Sequence, residues 1–292
     1  MELRHVRYFL AVAAEKNFSR AAARVGIAQP PLSGQIKNLE TEIGARLFHR
    51  IPQGAELTAA GEAFFEAVKG FPALAERAVH EARRAARGER GSIRVGFTGT
   101  AAFETVVSSS IRGFRRAFPA VELTLEETNS SRLAEALGAG DLDVGFLRSA
   151  SSDDERLQFR PLTRKKMLAV LPASHPAADS NPVRLEDLRD DAFVLTPREI
   201  GTAMYDAIVS SCRDAGFEPT IGQSAPQIIS VISLVAAELG VSIVPSAARH
   251  LGLPGVVYRD IAGDGPTVDL SLAFRRADTS PVVRNFLALA ST

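Results

Sequence analysis

Reactive side chains are sparse in this sequence, and their spacing argues against catalysis. The five histidines, His5, His49, His80, His175 and His250, lie far apart, with none of the short spacings that put two ligands on one metal. Cys212 is the single cysteine; it sits in the helical-looking stretch MYDAIVSSCRDAG and reads as an inert core thiol. Ser174–His175–Pro176 reads as a turn rather than a nucleophile beside its base. Asp141 and Asp143 read as a loop entering a strand rather than a metal pair. No G-x-S-x-G, P-loop or G-x-G-x-x-G occurs; GFTGTAAF approaches the last but lacks its spacing. The expectation is no enzyme, no metal and no cofactor, so function must come from recognition.

Residues suited to recognition gather at the start. Residues 1–50 carry eight Lys and Arg against four Glu, a surplus of +4, while the whole chain balances at 34 against 34. A basic head on a mildly acidic body suits a polyanion. Within the head, RVGIAQPPLSGQIKNLE places Gln29, able to donate to and accept from an adenine edge, four residues before Ser33, able to bond a base or a phosphate. Pro30 and Pro31 fall where a helix would begin, where a missing N–H costs little and the fixed φ sets the entry angle. Their rings offer a flat apolar surface to sugar or a thymine methyl. Gly34, just inside, costs about 1 kcal/mol of helix stability relative to Ala.

The elements that must hold these residues follow from periodicity. Leu3, Val6, Phe9, Leu10 and Ala13 recur at helical spacing. Asn17 or Ser19 offers an N-cap for the short helix SRAAARV, and Gly26 supplies a left-handed turn after it. Leu32, Ile36 and Leu39 give the next helix its apolar face, completing a helix-turn-helix. Leu47 and Phe48 then read as core, PQG as a turn and Thr58 as the next N-cap, which makes a β wing with Arg50 at its base, beside His49, placed to meet phosphate.

The run AAARVGIAQPPLSGQIKNLETEIGARLFHRIPQGAELTAAG resembles the winged helix-turn-helix signature of LysR-type transcriptional regulators. Ala21, Ala22, Gln29, Pro30, Leu32, Ser33, Gln35, Ile36, Leu39, Glu40, Gly44, Leu47, Phe48, Arg50, Leu57, Thr58 and Gly61 stand where that pattern places them. The resemblance implies that the helix beginning at Gln29 reads the major groove of a double-stranded DNA operator. The position of Gly34 is commonly Arg or Lys in that family; Lys37, one turn on, is placed to compensate. The resemblance also implies a homodimer or homotetramer, and it admits RNA polymerase as a further partner. AQPPLS and LVAAELGVSIVP are similar to phrases of the branch regulating aromatic-compound catabolism.

From Thr58 to about Arg87 the residues are mostly helix formers. Phe64, Val68, Phe71, Ala75, Ala78, Ala82 and Ala85 alternate gaps of four and three, a seam for a partner helix. Pro72 interrupts it, and one kinked linker helix is expected. The domains expected are a winged helix-turn-helix head over 1–58, a linker helix and hinge over 59–90, and an effector domain over 91–292.

The body alternates strands and helices. IRVGF, VELTLEE, LDVGFLR, MLAVLP, AFVLT, VSIVP and VDLSLAF read as strands, and the first of these suggest a parallel α/β sheet. Two lobes with chain crossings, about 91–162 with 267–292 and about 163–266, resemble periplasmic binding proteins, the effector-domain fold of the LysR family. The fold class is thus α/β with an N-terminal all-α winged helix-turn-helix domain, a long linker helix and a two-lobed effector domain. Ligands of open α/β sheets sit beyond the C-terminal strand ends, at helix starts. That selects Thr98, Gly99, Thr100, Thr128, Asn129 and Arg148 in one lobe and Pro197, Arg198 and Gly201 in the other. Two arginines with hydroxyls and helix-start N–H groups suit a small carboxylate, although either arginine could form a structural ion pair, Arg198 with neighbouring Glu199.

No apolar run approaches the length of a membrane span, and the charged N-terminus does not read as a signal peptide. A cytoplasmic location is expected, which a single cysteine fits. Two alternatives stay open: a solute-binding protein, which needs an export signal, and a ligand-independent DNA-architectural protein.

Overall fold

The computed structural model describes residues 1–52, 54–148 and 154–290, and the chain forms two compact units, Met1–Arg84 and Ala85–Thr292. In the first unit, α1 (Leu3–Glu15) turns Val6, Phe9 and Val12 inward. Helix α2 (Phe18–Val25) is capped by Asn17, whose side chain accepts from the Ser19 and Arg20 N–H groups at 2.9 and 3.0 Å, so Asn17 rather than Ser19 is the cap. Gly26 ends α2 at φ +74°, a backbone that favours glycine. Helix α3 (Gln29–Ile43) starts with both prolines in its first turn and buries Leu32, Ile36 and Leu39. The wing is the antiparallel pair β1 (Phe48–Ile51) and β2 (Gly54–Leu57), with Arg50 opposite Ala55. Gln53 of the expected PQG turn lies outside the described residues.

Thr58 caps α4 (Ala59–Val68), accepting from the Gly61 N–H at 3.0 Å while its hydroxyl donates to the Arg46 carbonyl at 2.6 Å. The single kinked linker helix expected from the sequence is instead two helices, α4 and α5 (Phe71–Ala86), parted at Lys69–Gly70. Pro72 brings no N–H for the Val68 carbonyl and its ring clashes there, which parts the two helices. The expected seam divides at the same point. Val68 is buried in the head's core and Phe64 packs against it, whereas α5 buries none of its residues and exposes Phe71, Leu74 and Val79.

The second unit opens with β3 (Gly91–Phe97), α6 (Thr105–Ala117), β4 (Val121–Glu127), α7 (Ser130–Ala139) and β5 (Val144–Leu147). Strand β6 (Leu157–Pro172) then leads into β7 (Ala192–Leu195), α8 (Thr202–Asp214), β8 (Thr220–Ser224), α9 (Ile228–Ala236) and β9 (Ser242–Pro245). The chain returns through β10 (Val256–Asp260) and β11 (Thr267–Arg275) and closes with α10 (Pro281–Leu289). Seven strands share one sheet, ordered β10-β6-β11-β5-β3-β4, with β9 also paired to β6.

The sheet is mixed rather than parallel. β3 runs parallel to β4 and β5, but β11 is antiparallel to β5 and β6, and β6 is antiparallel to β9 and β10. A separate parallel pair joins β7 and β8. Antiparallel neighbours need no crossover helix, so β11 can return directly beside β6. β6 begins ten residues before the expected MLAVLP segment, because its first half is only partly buried and carries Arg160, Arg164, Lys165 and Lys166. One core gathers around Phe114, Phe146 and Phe286, another around Phe193, Met204, Ile208 and Cys212.

Gly61 shows how tightly the head is closed. A Cβ there would lie 2.1 Å from the Leu47 carbonyl oxygen, in the backbone entering the wing. Alanine normally gains about 0.5–1 kcal/mol over glycine inside a helix. The clash reverses that sign, and Gly61→Ala is expected to destabilise the head by about 1–3 kcal/mol in urea unfolding.

Candidate DNA-reading surface and ligand cleft

On α3 the buried stripe fixes which residues face solvent. Gln29, Pro30, Pro31, Gly34 and Lys37 are exposed and Ser33 is half-buried. Gln29 Nε2 donates to Ser33 Oγ at 3.2 Å, joining the two side chains one turn apart. The site of a Cβ on Gly34 has no atom within 4 Å, so glycine leaves a gap in this face rather than relieving crowding beneath it. Lys37 has no acidic partner among the described residues. Arg50 is exposed on the wing with its guanidinium carbon 4.9 Å from the centre of the Phe18 ring, a cation–π contact that restrains it.

His5 has a role that its isolated position in the sequence concealed. Its Nδ1 accepts from the Glu2 N–H at 3.3 Å, which leaves the proton on Nε2 to donate to Gln35 Oε1 at 2.7 Å. The imidazole thus ties α1 to the helix that carries Gln29 and Ser33.

Within the second unit, the two lobes enclose a cleft of about 460 Å³. Thr98, Gly99 and Thr100 line it from the loop after β3, Thr128 and Asn129 from the start of α7, and Arg148 from the end of β5. Gly201 lines it from the other lobe. Pro197 and Arg198 do not reach it. Arg198 points outward and binds Asp206 through two bonds of 2.7 and 2.9 Å, so its partner is Asp206 rather than Glu199. The turn over Arg198–Ile200 presents Ile200 to the cleft in their place.

The walls differ in chemistry. The first lobe contributes most of the polar groups, with Ser130, Glu127 and Arg132 joining those expected from the sequence. The second contributes Ile200, Met204, Pro226, Ile228, Ile229 and Leu251, together with Thr196 and Gln227. These apolar residues went unread in the sequence because nothing local separates a cleft-lining Met or Ile from a core one. Asn129 caps α7 by accepting from the Arg132 N–H at 2.9 Å, and Ser131 Oγ donates to the Glu199 carbonyl at 2.7 Å, bridging the lobes.

Arg148 is 5% exposed and its guanidinium is nearly spoken for. Nε donates to Thr100 Oγ1 at 2.8 Å, and Nη2 reaches Glu104 Oε1 at 3.2 Å and the Thr100 carbonyl at 3.4 Å. Burial lowers the Arg148 pKa from its ordinary value, and the Glu104 carboxylate acts against that shift. Arg148 Nη1 and Thr98 Oγ1 are buried with no hydrogen-bond partner among the described residues. Glu104 was not anticipated; only the fold brings the residue before α6 to the end of β5.

Cys212 is fully buried, and burial pushes its thiol up to about 11, consistent with a packing role. Among the described residues no group of three or more His, Cys, Asp and Glu is arranged to hold a metal. No described helix is long and apolar enough to cross a membrane.

A winged helix-turn-helix unit followed by a two-lobed, ligand-sized cleft defines a DNA-binding regulatory protein. Residues 3–62 match the model for bacterial regulatory helix-turn-helix proteins of the lysR family, and residues 86–292 match the LysR substrate binding domain. The chain is 36% identical to the HTH-type transcriptional regulator BudR of Raoultella terrigena, over 99% of this chain and 100% of that one. It is 35% identical to the regulator AlsR of Bacillus subtilis, over 100% and 96%. The structure of full-length CbnR complexed with its target DNA superposes with a TM-score of 0.82 at 28% identity, covering 100% of both chains. The chain belongs to the LysR family of transcriptional regulators, and the solute-binding and architectural alternatives fall away.

The Arg148–Glu104 pair makes a direct test of the cleft's construction. Arg148→Met strands a buried carboxylate and is expected to cost about 3–5 kcal/mol in urea unfolding. Adding Glu104→Gln should recover a large part of that loss.

Proposed function

We propose that the chain binds operator DNA through α3 and its wing, and that a small molecule held between the lobes changes how it engages that DNA. The observation that carries the reading is the coexistence, in one chain, of an exposed helix start bearing Gln29, Pro30, Pro31 and Ser33 with an amphipathic cleft. Gln29 reads a base edge, the two prolines set the helix against the groove, and Ser33, Lys37 and Arg50 meet phosphate or base. Thr98, Gly99, Thr100, Thr128, Asn129, Arg148 and Gly201 contribute to the ligand site. Pro197 and Arg198 are left out of it.

The unburied apolar residues of α5, Phe71, Leu74 and Val79, support pairing with a second copy, as a homodimer or homotetramer. Two heads would then engage half-sites separated by about 34–36 Å or a multiple of it. The regulator acts in the cytoplasm, without catalysis of its own, and contact with RNA polymerase fits that role.

Gln29→Ala is expected to weaken binding to the operator by about 1–3 kcal/mol, measured by fluorescence anisotropy at fixed salt. Lys37→Ala should weaken binding to all sequences alike and lower the salt dependence by about one ion. Wild-type affinity for Gln29→Ala would remove α3 from the groove.

A further inference from the structure

Two parts of the head face a duplex, the start of α3 and the wing, and Glu40 joins them. Lying in the last turn of α3, it accepts from the Gly44 and Ala45 N–H groups at its carbonyl, at 2.9 and 3.2 Å. Its carboxylate oxygen Oε1 accepts from the Leu47 and Phe48 N–H groups at 2.8 and 3.2 Å. The first pair is backbone and ends the helix whatever the side chain. The second exists only while residue 40 carries an acceptor. Leu47 and Phe48 are 0% and 4% exposed, so water does not take its place. Among the described residues, no other side chain of α3 hydrogen-bonds to the wing strands or to the chain entering them.

The far side of the wing is anchored elsewhere. The Ala55 N–H donates to the Lys16 carbonyl at 2.9 Å, and a Cβ on Gly54 would lie 2.1 Å from that same oxygen, so β2 rests on the end of α1. The Thr58 N–H and hydroxyl donate to the Leu47 and Arg46 carbonyls. These ties keep the wing folded without the Glu40 carboxylate; what they do not fix is the height of β1 above α3. Arg50 lies on β1 two residues beyond Phe48, on the same face. Phe18 touches both, its ring centre 5.8 Å from that of Phe48 and 4.9 Å from the Arg50 guanidinium carbon. A shift at Phe48 is thus passed to Arg50 by strand and ring together.

We infer that Glu40 is a positioning residue for DNA recognition, its carboxylate setting the distance between the reading face of α3 and Arg50 so that both meet one duplex at once. This rests on the reading of α3 and the wing as the DNA-contacting surface. Glu40 itself touches no DNA; it acts through Leu47 and Phe48, and a contact held ready in this way loses its value when its support goes.

The test is a set of double-mutant cycles in DNA affinity. The full chain is titrated by fluorescence anisotropy, at fixed salt, against a duplex that the wild-type chain has selected from a random-sequence pool. Arg50→Ala and Glu40→Ala are each expected to weaken binding about tenfold, and the two together no more than about twofold beyond Glu40→Ala alone, because residues acting as one unit do not add. Gln29→Ala should cost the same factor with Glu40 or Ala at position 40. Glu40→Gln keeps the acceptor oxygen and should bind within about threefold of wild type. A residue that only stabilised the head would not separate Arg50 from Gln29 in this way. An Arg50→Ala factor that persists undiminished in Glu40→Ala overturns the inference. So does a Gln29→Ala factor lost along with it, or a Glu40→Gln affinity as low as that of Glu40→Ala. Should circular dichroism show Glu40→Ala unfolded, Glu40→Asp, whose carboxylate is one methylene short, takes its place in the same cycles. If Arg50→Ala alone leaves wild-type affinity while Gln29→Ala weakens it, the wing reading itself fails and the inference falls with it.

Discussion

Strands β6 and β11 belong to both lobes, and every feature of the cleft depends on how they cross. β6 pairs with β11 from Leu157 to Lys166 and with β9 and β10 from Met167 to Pro172. At the crossing, the Met167 N–H donates to the Pro266 carbonyl at 2.8 Å, so the two strands are tied where they change lobes. Breaking a paired backbone amide in this buried strip leaves two polar groups without water, which makes the crossing the stable axis of the unit. Away from that crossing the Ser131–Glu199 hydrogen bond is a further, weaker tie between the lobes. A ligand that favours one spacing of the walls has a small barrier to work against there and a firm axis to turn about.

The head solves a different problem, that of showing a helix start to a partner without leaving it poorly satisfied. α3 begins after Ala28, which provides no side-chain cap. Pro30 and Pro31 remove two donors that would otherwise lack acceptors. The buried stripe of Leu32, Ile36 and Leu39 anchors the helix, so the loss of a cap and the cost of Gly34 are borne by packing. Gly34 then stands over open space beside Pro30 and Lys37, and it makes this face flatter than a long side chain would allow.

The head was legible because its signals are local. Asn17, Gly26, Thr58 and the spacing of Leu32, Ile36 and Leu39 each act within a few residues of themselves. The body was legible where strands are buried on both faces and where helices follow them, as with Thr98–Thr100 and Asn129. It was opaque where long-range pairing decides. β6 continues through a polar stretch because β11 lies beside it, and Glu104 meets Arg148 only through the sheet. Arg198 follows a strand and precedes a helix as a ligand residue should, yet Asp206, one turn into that helix, draws it outward. Pro72 could be read as a disturbance, but the seam's unbroken spacing did not show that Val68 belongs to the head's core and Phe71 to a separate helix.

Coupling between cleft and DNA is what makes the two units one regulator, and it has a direct measurement. The affinity and footprint of the intact chain on its operator would be compared without and with a saturating cleft ligand, and the ligand's affinity compared without and with DNA. The expected result is a change of about fivefold or more in DNA affinity, mirrored by the same factor in ligand affinity because linkage is reciprocal. Equal DNA affinities and an unchanged footprint with the cleft empty and filled would contradict it.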